Sequence, residues 1–407
     1  MKRGHLSEYF TGVAAKRLSA VEADVLRSHQ HELNGVEGLK RLFGPASGKQ
    51  SYPARFLYLN DRDDEPVIAE GVLTWYDARE RHPTRSEHRL YFPPNAVMDQ
   101  ARAGDLMVIG RRPDGSVLLV VAERDSTAAS QVQWLFGTAE LADAGYAVRD
   151  DLDSERDRIA LAARLILEQI GVEIEPPPDT HLEDMLRRFG GAFPKTRDFS
   201  AYARSTLPDL DPRIEPDVAL IAWMDREESL FRTLEYHLVG SRLEQGFVRD
   251  VDSFVAYSLS VHNRRKSRVG YALENHLESL FATCNIRFAR TAVTENRSKP
   301  DFLFPGTAEY CDPKFDPQRL TVLGVKSTCK DRWRQVLAEA DRVESKHLLT
   351  LEPAISTNQT DEMQARQLQL VLPRSLHDTY SPVQQSWLMD LNAFVALVRE
   401  RQSPWAG

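Results

Sequence analysis

The sequence predicts two domains of different class: an all-β unit at the amino end and an α/β core with a central mixed sheet at the carboxyl end. Three observations predict it. Short apolar segments punctuated by Pro, Gly and Asp fill residues 1–175; "EPPP" at 175–178 interrupts them; from 263 onward helical and strand periods alternate. At 407 residues the chain is too long for one ordinary core and suits two or three domains.

The amino-terminal strands are "ARFLYLN" (54–60), "VLTWYDA" (72–78), "HRLYFP" (88–93), "DLMVIGRR" (105–112) and "SVLLVVAE" (116–123). Pro113-Asp114-Gly115 between the last two is a hairpin signal, because Gly accepts the positive φ that such turns need. Many short strands with few helices imply a small barrel or sandwich. "DSERDRIALAARLILEQIG" (153–171) has apolar residues at helical spacing and Gly171 as its stop. Consecutive prolines then stiffen and extend the chain, so 176–195 reads as a linker and 196–407 as the second domain. Residues 180–262 are mostly helical by pattern. The order afterwards is helix (267–284), strands (286–293, 301–304, 320–326), helix (329–343) and strands (346–351, 368–372).

With 42% hydrophobic and 28% charged residues, the composition is that of a soluble globular protein. No apolar run approaches the roughly 18 residues of a membrane span, and "MKRGHLSEYF" lacks a signal-peptide core, so the cytoplasm is expected. Cys284, Cys311 and Cys329 are widely spaced with no CxxC, which suits a reducing compartment and argues against a zinc ribbon.

The net charge of -8 speaks against a polyanionic partner until its distribution is read. Asn263 to Lys346 carries 16 Lys and Arg against 11 Asp and Glu, while the rest carries 36 against 49. Attraction of nucleic acid therefore needs a local field. "NRRKSR" (263–268) concentrates it, with Arg264, Arg265, Lys266 and Arg268 introducing the helix that carries Glu274 and Glu278.

"KPDFLFP" (299–305) and "LTVLGVKSTCKDRWRQ" (320–335) place Asp301 and Lys326, 25 residues apart, on successive strands. An acid and a lysine meeting at a sheet's end suit metal-dependent phosphodiester cleavage: carboxylates hold Mg2+ and the lysine orients water or steadies the phosphorane. The second acid of a PD…(D/E)xK pattern falls two residues before the lysine, and that position is Gly324. Because Gly324 shares a strand face with Lys326, it leaves a gap that Glu274 is expected to enter, with Glu278 as the alternative. Ser327 or Thr328 is the expected cap of the following helix, where Lys330 and Arg334 lie one turn apart and favour phosphate. Taken singly, each residue has an ordinary reading: Asp301 as a turn residue, Lys326 as a strand edge, Glu274 as helix surface.

Together, "SVHNRRKSRVGYALENHLESLF", "KPDFLFP" and "VKSTCKDRWRQVLAEADR" resemble the catalytic domain of EcoRII-type restriction endonucleases in content, order and spacing. The resemblance covers about 195 to 381 and extends more weakly into "AAKRLSA" and "TRSEHR". It implies a Type II restriction enzyme with a restriction-endonuclease-like core, a B3-like DNA-binding pseudobarrel at the amino end, Mg2+ and a homodimer. It further implies a CCWGG-like site, a second DNA copy as effector and a cognate methyltransferase. Carried over, the family's catalytic residues fall on Glu274, Asp301, Lys326, Lys330 and Tyr310, with Glu274 and Asp301 as metal ligands. Arg85, Glu87 and Arg89 suit a base-reading arm, since Arg pairs with guanine and Glu accepts from cytosine. Lys16 and Arg17, with "SHQHEL" (28–33), form a second expected arm, and Arg332 and Arg334 further DNA contacts. The competing readings are a structure-directed repair or mobile-element nuclease, and a DNA-binding regulator with an inactive core.

Overall fold

Apolar alternation in the amino-terminal half builds an eight-stranded sheet, ordered β2-β5-β4-β3-β7-β6-β1-β8. Its strands are β1 (Gly12–Arg17), β2 (Glu32–Gly35), β3 (Gln50–Leu59), β4 (Val67–Asp77), β5 (His88–Tyr91), β6 (Leu106–Arg111), β7 (Val117–Ala122) and β8 (Ala147–Arg149). The structure is a computed structural model and describes residues 4–23, 31–46, 48–63, 65–82, 84–138, 145–174 and 180–403. The chain divides into two units: Met1–Ile174 with Pro353–Thr360 and Thr379–Ser381, and the remainder. All five strands read from the amino-terminal sequence are present.

Side-chain alternation gives this sheet two cores. Val13, Leu57, Val108 and Val120 face one way, onto α1 (Thr127–Phe136) and α2 (Leu161–Gln169); Ala14, Phe56, Ile109 and Val121 face the other, with Trp75 and Phe92. The β6–β7 turn is tight, with the Arg112 N–H donating to Ser116 O at 2.8 Å and Gly115 at φ 84°. Helix α1 starts where Ser126 accepts the Ala129 N–H at 3.0 Å and ends at left-handed Gly137. The helix expected over 153–171 is shorter, because a 3-10 turn (Glu155–Asp157) precedes α2, and Gly171 takes φ 74° after it.

The second unit begins helically. Of the expected linker, 175–179 lies outside the described residues, while Leu182–Phe189 is a helix, α3. It packs Met185 with α4 (Thr196–Ser205) and α5 (Pro216–Gln245) around Phe199, Tyr202, Leu230 and Phe231. Helix α6 runs unbroken over Val251–Thr283, capped by Asp250, whose carboxylate accepts the Ser253 N–H at 3.0 Å. The cations of 263–268 therefore sit inside a helix rather than before one, because no Gly or Pro between 251 and 267 interrupts it.

The five-stranded sheet of this unit is ordered β13-β12-β11-β10-β9. Strand β11 (Thr321–Lys326) pairs antiparallel with β10 (Phe302–Phe304) and parallel with β12 (Lys346–Thr350). At the edges, β10 pairs antiparallel with β9 (Ala289–Arg290) and β12 parallel with β13 (Leu368–Val371). The sheet is mixed, as the sequence predicts. Phe302 turns one face towards α6, its ring 5.3 Å from Phe281, which also meets Phe394 of α8 (Leu391–Gln402). Leu303 and Val322 turn the other way, into a cluster with Tyr310, Ala340 and Val343. Between β11 and β12 the expected long helix is a 3-10 turn (Lys330–Arg332) followed by α7 (Trp333–Leu337). Among the described residues no helix is long and apolar enough to cross a membrane.

Candidate active site

Asp301 stands just before β10 and Lys326 ends β11, and the antiparallel pairing of Phe302 with Leu323 brings them to the same end of the sheet. The Asp301 carboxylate accepts from Lys326 Nζ at 3.0 Å and from the Val325 N–H at 2.7 Å. Both side chains are about four-fifths buried, which strengthens the pair over one in open water. The amide fixes the carboxylate while leaving its Oδ1 without a bond to either partner.

The gap beside Gly324 is closed. A Cβ built at Gly324 would lie 2.5 Å from Val336 Cγ2 and 3.1 Å from Cγ1, so α7 packs directly on that strand face. The expectation that Glu274 enters this space is overturned by that contact. Glu274 instead forms an ion pair with Arg290 of β9 at 2.6 Å. Glu278 shares Arg290 at 2.7 Å and also pairs with Arg197. Burial opposes the Glu278 charge, but the two guanidiniums outweigh it and hold its carboxyl below the usual range.

The turn that follows this helix also brings an acid that sequence reasoning missed. Glu339 lies past the end of α7, its N–H donating to the Val336 carbonyl at 3.2 Å, and its charge is felt by both Lys326 and Asp301. Burial pushes its carboxyl above the usual range and Asp301 adds to this, while Lys326 opposes. Its Oε2 is buried and has no hydrogen-bond partner among the described residues. The signal in the sequence was partial: a glycine in a strand invites close packing, but which acid arrives with the packed segment does not follow from it.

Asp301 and Glu339 offer carboxylate oxygens, the donors a hard divalent cation takes, and a buried oxygen lacking a partner fits such an ion. Among the described residues no cluster of three or more His, Cys, Asp or Glu is arranged as a metal site. Two carboxylates, with water and substrate oxygens completing the shell, match the way Mg2+ is usually held.

The remaining expected residues fall into distinct settings. Lys330 is half-buried with φ 29°. Neither Ser327 nor Thr328 caps α7, whose N-cap is Arg332; the free N–H of the loop, that of Cys329, is taken by the Glu352 carboxylate. Tyr310 is buried, donates its hydroxyl to Glu295 and lies under Arg342. Burial and Glu295 push its phenol well above the ordinary value. In α6, Arg268 is 6% exposed, ion-paired with Glu228 and 4.1 Å from the Phe231 ring centre. Arg265 pairs with Glu235 at 2.8 Å, and Arg264 stacks over Phe193 at 3.9 Å. These contacts fasten α6 to its neighbours, whereas Lys266 is exposed. Arg332 is exposed and Arg334 pairs with Glu362 at 2.6 Å.

In the first unit, Arg89 bridges Glu87 and Glu32, and Arg79 joins Glu87 at 2.6 Å, while Arg85 is exposed. Lys16 pairs with Glu22 at 2.7 Å, and Arg17 donates to Gly104 O at 3.1 Å. Of the second expected arm, residues 28–30 lie outside the described residues.

The span that holds Asp301, Lys326 and Glu339 has a recognisable counterpart. Residues 231–395 match the EcoRII C terminal family. The chain is also 40% identical over 227 residues to the Type II restriction enzyme EcoRII of Escherichia coli, covering 56% of this chain and 55% of that protein. It thus spans about half the length of the curated relative it matches. Similar solved structures include two restriction endonucleases with DNA. Metal-depleted Ecl18kI in complex with uncleaved, modified DNA is 17% identical with a TM-score of 0.46, covering 57% of this chain and 87% of that one. A PspGI restriction endonuclease–substrate DNA complex is 15% identical with a TM-score of 0.43, covering 51% and 93%. All the residues around Lys326 described above fall inside the EcoRII C terminal match.

Proposed function

We propose that the chain is a Type II site-specific deoxyribonuclease that cuts double-stranded DNA by Mg2+-dependent phosphodiester hydrolysis. The observation that carries this is the meeting of Asp301 and Lys326 at one sheet end, with Glu339 in the same field, inside the EcoRII C terminal match.

Asp301 and Glu339 would hold the divalent cation, which when bound neutralises phosphate charge and makes water a better nucleophile. Lys326, held by Asp301, orients the attacking water or takes up charge building on the phosphate oxygens. Lys330 steadies the phosphate from the adjoining turn. Glu274 fixes Arg290 beside Asp301, a positioning role in place of the metal-ligand role expected from sequence. Tyr310 supports the strands from below through Glu295.

Similarity to EcoRII supports extending the proposal to a CCWGG-like site, a homodimer acting on both strands, and a methyltransferase protecting the host's own sites, all in the cytoplasm. The amino-terminal sheet is proposed as a B3-like reader of a second, effector copy of DNA, with Arg85, Glu87 and Arg89 towards the bases and Lys16 and Arg17 beside them. Exposed Lys266 and Arg332 suit backbone contacts in the catalytic part.

Digestion of mapped plasmids with Mg2+ tests this reading. Discrete fragments with common ends are expected, more complete on two-site than on one-site substrates. A smear, or cutting only at branched structures, refutes sequence-specific cleavage. Lys326→Ala is expected to abolish cleavage while still retarding site-bearing DNA, and full cleavage by that variant removes the lysine from the mechanism.

A further inference from the structure

We infer that Glu352 is a positioning residue of this site, acting through the backbone of Cys329 on Lys330; the inference rests on the nuclease reading above. Strands β11 and β12 are parallel and pair Lys326 with Thr350. The chain just beyond Thr350 therefore runs beside the loop just beyond Lys326. Glu352 is 6% exposed, and its carboxylate accepts the N–H of Cys329, which is fully buried. Its own N–H donates to Thr350 Oγ1 at 3.1 Å, which sets its backbone. The Cys329 carbonyl accepts the Arg332 N–H at 2.7 Å. Both main-chain polar groups of Cys329 are thereby anchored, one on each side of its Cα, and the carbonyl belongs to the peptide bond that joins Lys330.

Lys330 needs such anchoring. Its φ of 29° lies in the left-handed region, which a residue with a side chain enters only where its surroundings hold it. The Cys329 thiol feels both the Glu352 carboxylate and the Lys326 ammonium, which places the two charges around one residue. Removing the carboxylate frees the Cys329 peptide, lets Lys330 relax to an ordinary conformation and turns its ammonium from the phosphate. Such a change lowers turnover more than DNA affinity.

The test compares full-length wild type, Glu352→Ala, Glu352→Gln, Lys330→Ala and the double variant Glu352→Ala/Lys330→Ala, with Mg2+ and a DNA fragment whose cut site has been mapped. Glu352→Ala is expected to lose about tenfold or more in kcat with KM within about threefold. Glu352→Gln, which keeps an acceptor oxygen, recovers most of that loss. The double variant is no slower than Lys330→Ala alone, because both changes remove one function. Unchanged kcat in Glu352→Ala, or a double-variant loss equal to the product of the single losses, overturns the inference while leaving the nuclease reading intact. Where Glu352→Ala shows no cooperative thermal transition, Glu352→Asp, which keeps the charge but shortens the reach, takes its place with the same expected and overturning results. Absence of any wild-type cleavage sinks the nuclease reading, and this inference with it.

Discussion

Gly324→Ala adds one methyl group at the point where α7 touches β11. Its Cβ would stand 2.5 Å from Val336 Cγ2 and 3.4 Å from Val336 Cβ, so helix and strand must part by about 1 Å to reach ordinary contact. Little slack is available, because Val322, Trp333 and Val336 are all fully buried. Overpacking of this kind costs roughly 1–3 kcal/mol. In a unit of this size that is a fall in Tm of roughly 2–10 °C by calorimetry. Val336→Ala alone leaves a cavity and costs a similar amount, on the order of 1–3 kcal/mol. In the double variant the new methyl enters the vacated space, so the combined loss is expected to fall short of the sum by about 1 kcal/mol or more. Gly324→Asp, which restores an acid at the usual position before the lysine, is expected to be the least stable of the series and to cleave no better than wild type. A neutral Gly324→Ala, or strict additivity in the cycle, refutes the close packing of Val336 on Gly324.

Glu339→Gln is expected to abolish cleavage. In metal-free protein it should also flatten the pH dependence of stability: the Glu339 carboxyl is raised in the fold, so its contribution is full at low pH and is lost as pH rises through the folded value, a slope visible in Tm with EDTA present. His347 works with the opposite sign. Burial, with Arg401 adding to it, lowers this imidazole from 6.5 to about 4, so stability present above 6.5 is lost as pH falls towards about 4, and His347→Leu should reduce that loss in urea titrations at pH 7 and pH 5. Arg268→Ala takes one of two arginines from Glu228, leaving Arg232 at 2.7 Å, and strips Phe231 of its cation. It should destabilise by roughly 1–3 kcal/mol with DNA affinity of the folded protein little changed. Lost affinity at unchanged Tm would return Arg268 to the DNA interface.

How far the site was legible follows from what each signal depends on. Asp301 and Lys326 were readable because a short strand on either side of a turn leaves few ways to align, and alternation sets which face each residue takes. The partner of Glu274 was not legible, because helical period predicts a stripe but not which neighbour faces its edge; Arg290 stands there. The surroundings of the cation cluster were hidden for a related reason. Positive charge density is a sum over residues, whereas its availability depends on the acids brought opposite, and Glu235 and Glu228 come from α5, 30 residues before Arg265 and 40 before Arg268.

By itself the sequence determined the elements and their order: the five amino-terminal strands, the Pro113–Gly115 turn, the mixed carboxyl-terminal sheet and the Asp301–Lys326 pair. These depend on local period, turn chemistry and short-range pairing, which the chain carries wherever it is read. Tertiary structure alone decided that Val336 fills the space beside Gly324, that Glu339 joins the two charges there, and that Glu352 grips the loop before Lys330. Each depends on which surfaces of separate elements meet. Side-chain volume and buried charge settle that only once the whole core closes.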